Sequence, residues 1–165
     1  MFLVSKSSER ARDLLEVMTF AIPFMVLVTI ADLVLHFPQD INLALPYALL
    51  FYPTMGYVAQ LALHVVPLAI LMPLLGSIFS RWPSDRRTWS CIAIVAFLEA
   101  TFQVTSTSAG DALTLFVAIH LFLFGVTEQY IFRRHDFIAM FLFRMTYYAY
   151  WHLAWGYLRL EWLSR

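Results

Sequence analysis

Five apolar stretches, each close to the length needed to cross a bilayer, make up most of this chain, and its charges are confined to the short segments between them. A hydrocarbon core of about 30 Å needs roughly 20 predominantly apolar residues per helix. Stretches of that kind fall near 15–36, 54–80, 88–105, 112–132 and 137–158. With 61% hydrophobic residues, 13% charged residues and a mean hydropathy of +0.72, the chain lies outside the soluble globular range. The expected fold class is all-α: a polytopic integral membrane helical bundle of about five transmembrane helices, forming a single domain over residues 1–165.

Residues 43–80 are numerous enough for two short helices, and Pro46 and Pro53 interrupt the first half. Charge separates the options. Basic residues cluster at Lys6, Arg10 and Arg12, at Arg81, Arg86 and Arg87, and at Arg133 and Arg134, whereas "HFPQDIN" and "STSAGD" carry none. These clusters alternate across the membrane only if 43–80 crosses once. The N-terminus and both arginine-rich turns are then cytoplasmic, and 43–53 becomes an interfacial or re-entrant stretch. The opening "MFLVSKSSERARDLLEV" precedes an apolar run longer than a signal peptide's, so it reads as a retained first span.

Eleven basic and eleven acidic side chains cancel, which removes nucleic acid from the expected partners and leaves membrane lipid as the surrounding medium. The single Cys91 excludes an intramolecular disulfide and any multi-cysteine metal centre. No metal ligand set is assigned from the sequence.

Ionisable groups inside the spans cost on the order of 3 kcal/mol and are therefore informative. At about 1.5 Å per residue, Glu99 lies roughly 10 Å, His120 roughly 13 Å and His152 roughly 9 Å from the non-cytoplasmic ends of their helices. Tyr148 is one turn from His152, and His64 falls at a comparable level, so a convergent polar site is geometrically possible. Each intramembrane histidine also has a structural reading, as an interhelical hydrogen-bonding residue. Glu128 and Arg144 reach similar depths on consecutive helices and are expected to form a structural ion pair. Asp32, His36, His135 and Asp136 stand at span ends, where solvated or capping roles are expected. The run "YYAYWHLAWGYLRLEW" is expected to form an interfacial aromatic belt.

From "LEATFQ" onward the order of residues resembles the CAAX-prenyl endopeptidase and bacteriocin-processing (CPBP) family of intramembrane proteases, known by EExxxR, FxxxH and HxxxN or HxxxD on successive helices. Glu99 stands on the second glutamate of the first motif and Gln103 on its arginine, while "FVAIH" (116–120) matches FxxxH in full. The following "LFGVTEQYIFRRHDFIAMFLFRMTYY" is similar in its helix, basic turn and last helix, and it places Arg144 and Tyr148 where HxxxN would fall. The last motif is not matched. The resemblance covers about residues 95–155. It implies an endopeptidase in which Glu99 is the base that activates a water and His120 orients that water or stabilises the oxyanion. His152, one turn beyond Tyr148, would replace the missing histidine. It equally implies a degenerate member without proteolytic activity. The substrate would be a peptide or membrane protein.

Two other classes fit the sequence. One is a non-catalytic membrane subunit, bound to a partner within a larger complex and pinned by its interhelical polar groups. The other is a haem or chlorin carrier, with axial nitrogens from His64, His120 or His152.

Overall fold

A computed structural model describes residues 2–38, 41–105, 111–159 and 161, with side chains for 10–38, 41–105, 112–159 and 161. Most of "STSAGD", Gln39 and Asp40 of "HFPQDIN", and the Lys6 side chain lie outside the described residues. The helices are α1 (Phe2–Thr19), α2 (Ala21–Leu35), α3 (Tyr47–Ala59), α4 (Val66–Ile78), α5 (Ser84–Thr105), α6 (Asp111–Arg134), α7 (Phe137–Tyr148) and the short α8 (Gly156–Leu158). Two π-helical segments, Gln60–Val65 and Ala149–Trp155, join α3 to α4 and α7 to α8. Every regular element among the described residues is helical, and the fold is all-α.

Four helical stretches are long and apolar enough to cross a membrane: Arg10–Leu35, Tyr47–Ile78, Ser84–Thr105 and Ala112–Arg134. In the first, the break at Phe20 has its cause in Pro23, whose missing N–H and ring oppose the carbonyl four residues back at Thr19. In the second, helix begins directly after Pro46 and runs on past Pro53. Residues 47–53 are thus the opening turns of one long helix, Tyr47–Ile78. The first π segment lies just upstream of Pro67, which cannot donate to a carbonyl in the preceding turn, so the widened turn absorbs the lost bond. The expected fifth span, 137–158, is helical throughout. It is not among the four because Arg144, His152 and its many Tyr and Trp residues lower its hydropathy.

Where a single domain is expected, the chain divides into two compact units, Met1–Pro53 with Ile131–Arg165, and Thr54–Tyr130. In the first, α1 and α2 pack on α7, burying Val17, Ala21, Val28, Ala31, Met140 and Phe143. Trp151 and Tyr147 are buried there too, so the aromatic run is partly core rather than wholly an interfacial belt. Trp151 meets Phe37 edge-on at 5.2 Å. In the second unit α5 packs on α4 and on the first π segment, around Cys91, Ile92, Val95, Ala96 and Ala100.

Burial along Tyr47–Ile78 shows how such a helix sorts its residues. Its buried positions, Ala48, Tyr52, Gly56, Gln60 and His64, recur every fourth residue, while Leu50, Ile70 and Ile78 are exposed. A helix facing lipid gains nothing by hiding Leu or Ile, and the polar side chains turn inward instead.

Candidate functional site

The inward stripe of the first π segment carries two polar side chains, Gln60 and His64, both fully buried. Glu99 from α5 and Glu128 from α6 converge on them, with 2% and 0% of their surface exposed. His64 Nε2 lies 3.0 Å from Glu99 Oε2 and 2.9 Å from Glu128 Oε2. Neither approach is aligned as a hydrogen bond, and among the described residues His64 Nδ1 has no hydrogen-bond partner. The other oxygen of each carboxylate is held by an amide. Gln60 Nε2 donates to Glu128 Oε1 at 3.0 Å, and Gln103 Nε2 donates to Glu99 Oε1 at 3.2 Å. Each glutamate is thus oriented with one oxygen tied to an amide and the other turned toward the same imidazole nitrogen.

Gly125 of α6 makes this approach possible. A Cβ there would stand 2.9 Å from Glu99 Oε2 and 3.3 Å from Ala96 Cβ, so only a glycine lets the two helices and the carboxylate come so close. Three helical segments therefore deliver one imidazole and two carboxylates to a dry point. Such a group can share a proton, hold a cation, or take a proton from a water admitted beside it.

The residues singled out in the sequence divide between the two units. Glu99, Gln103 and His120 belong to the second, where Glu99 and Gln103 bond one turn apart as their spacing suggests. His64 supplies an imidazole beside Glu99. The His120 ring is buried and lies 5.3 Å from the Phe116 ring and 6.4 Å from that of Phe124. Glu128 joins the same centre, meeting His64 and Gln60.

His152 and Tyr148 belong to the first unit, where His152 stacks on Tyr52 at 3.8 Å and meets Tyr148 edge-on at 5.0 Å. Its Nδ1 is 3.5 Å from Asn42 Nδ2. Arg144 is buried in the same unit and donates to Tyr148 Oη at 3.4 Å.

No spacing or motif signals the polar network around Asp32. Expected at a solvated or capping position, Asp32 is buried. It accepts from Arg159 Nε at 3.0 Å, from Trp155 Nε1 at 2.8 Å and from the Phe37 N–H at 3.0 Å. Arg159 also donates to Asn42 Oδ1 at 3.0 Å and to the carbonyls of Phe37 and Pro38. Gly156 passes so near that a Cβ there would collide with the Asn42 amide. This network ties the chain after α2 to the C-terminal helix, and it satisfies its members mutually.

Comparison with protein-family models, with curated proteins and with solved structures finds no match to this chain.

Proposed function

We propose that the chain is a multi-pass membrane hydrolase, a divergent relative of the CPBP proteases, which cleaves a peptide bond with a water activated at Glu99. The observation that supports this is one residue's double position. Glu99 occupies the glutamate of the motif in "LEATFQ", and its carboxylate is one of the two that face His64 in the buried centre.

In this reading the Glu99 carboxylate takes a proton from a bound water as the oxygen attacks the scissile carbonyl carbon. His64 donates to the oxyanion that forms, and Glu128, itself held by Gln60, keeps the imidazole oriented. Collapse of the tetrahedral intermediate breaks the C–N bond, and the proton on Glu99 passes to the leaving amine. No step is assigned to His120, His152 or Tyr148. The N-terminus and the turns at Arg81, Arg86 and Arg87 and at Arg133 and Arg134 lie on the cytoplasmic side by the positive-inside rule, with 137–158 as a fifth crossing.

The test is cleavage in proteoliposomes containing a membrane-protein extract, read as new N-termini by mass spectrometry. Wild type is expected to generate products that Glu99→Gln does not, at matched helicity and melting temperature. Identical product profiles would contradict the hydrolase reading. They would favour the non-catalytic subunit, for which the Gln60–Glu128 bond is simply an interhelical tie and the Glu99–Gln103 bond a tie within α5.

A further inference from the structure

We propose that His64, Glu99 and Glu128 are the ligands of a divalent transition-metal cation. Each offers a ligand atom, and these atoms lie within 4.8 Å of one another. The two nitrogen–oxygen separations, 3.0 and 2.9 Å, match the distance between neighbouring ligands around a small cation. Six ligands held at about 2.1 Å from a central ion stand roughly 3.0 Å apart along each edge.

The orphaned imidazole is the independent sign of a ligand. His64 is 1% exposed, yet Nε2 makes no aligned hydrogen bond to either oxygen that crowds it, and Nδ1 has no hydrogen-bond partner among the described residues. A buried polar group normally has such a partner. A metal ion beside Nε2 would bring that nitrogen and both carboxylate oxygens into one ligand set.

A divalent cation would also carry charge opposite to that of the two carboxylates. The amides of Gln60 and Gln103, bound to the outer oxygen of each carboxylate, fix its orientation as groups hydrogen-bonded to metal ligands commonly do. One nitrogen and two oxygens, without thiolate, suit Mn2+, Fe2+, Co2+ or Zn2+ better than Cu+ or Ca2+.

Binding stands on this geometry alone; with the cation held at Nε2, the cation and not His64 would face the oxyanion, and only that use rests on the hydrolase reading. The test is equilibrium dialysis of chelator-stripped, detergent-solubilised full chain against Mn2+ or Zn2+, with elemental analysis. Wild type is expected to retain about one equivalent, and Glu99→Gln/Glu128→Gln to lose more than the roughly 100-fold in affinity that removal of a group merely hydrogen-bonded to a ligand costs at most. Gly125→Ala keeps all three ligands but pushes on Glu99 Oε2, and its affinity is expected to fall about 10–100-fold at unchanged helicity.

Failure of wild type to retain a cation, or equal retention by wild type and the double variant, would overturn the proposal. The two readings fail separately. Cation binding without peptide cleavage contradicts the hydrolase alone, and undiminished cleavage by the stripped protein contradicts the cation's part in it.

Discussion

His64 Nε2 lies 2.9 Å from Glu128 Oε2, so a histidine in a π-helical turn and a carboxylate of α6 meet in the buried interior of the second unit. That contact, with its counterpart at Glu99, makes the second unit depend on whatever neutralises the two carboxylates.

Removing the neutralising cation should therefore destabilise the protein. With free cation at about 100 times its dissociation constant, binding contributes roughly 2.7 kcal/mol. Addition of a chelator is expected to lower the melting temperature of wild type and to leave that of Glu99→Gln/Glu128→Gln unchanged. Differential scanning fluorimetry in detergent checks this, and an equal response of the two proteins would count against a bound cation.

In the first unit, Asp32 and Arg159 are a buried pair with further hydrogen bonds to Trp155, Phe37 and Asn42. Breaking such a pair from one side leaves an uncompensated buried charge and costs about 3–5 kcal/mol. Asp32→Asn or Arg159→Met alone should each destabilise by that order, and the double variant by clearly less than the sum. A double-mutant cycle with purified protein measures the coupling; strict additivity would mean that the pair is not linked.

Asp136 has two partners of unequal weight. It accepts from the Ala139 N–H at 2.8 Å as the N-cap of α7, and it pairs at 3.2 Å with Arg10 across exposed surface. Asp136→Ala is expected to cost about 1 kcal/mol, as loss of a cap does. Arg10→Ala should cost no more than a few tenths of a kcal/mol, since exposed ion pairs are screened by water and salt. The thermal shifts of the two variants, compared at low and high salt, separate the cap from the ion pair.

Gln129 follows Glu128 but takes no part in the centre's bonds. It is 1% exposed, and among the described residues neither atom of its amide has a hydrogen-bond partner. Gln129→Leu removes that burden at similar volume and is expected to raise stability by about 1–3 kcal/mol, with cation binding unchanged. A lower melting temperature would show that the amide has a role of its own.

Much of this arrangement is legible in the sequence because it is local. The apolar runs give the helices, the spacing of Glu99 and Gln103 gives their bond across one turn, and Asp136 before an apolar run gives a helix cap. The partners of the carboxylates are not local. Counting rise from span ends treats α5 and α6 as a hairpin in simple register and sets Glu99 level with His120. In the structure α6 approaches Glu99 at Gly125, which brings Glu128 to the centre. A glycine in the middle of an apolar helix was the available sign of a close crossing. Asp32 escaped for a related reason: its partner Arg159 comes from the far end of the chain, and no sequence spacing connects them.

The most direct test of the account is pulsed electron paramagnetic resonance of Mn2+ bound to the wild-type protein in detergent. Coupling to a single histidine nitrogen is expected, and its disappearance in His64→Gln while helicity is kept. Bound Mn2+ without nitrogen coupling, or coupling that persists in His64→Gln, would contradict it.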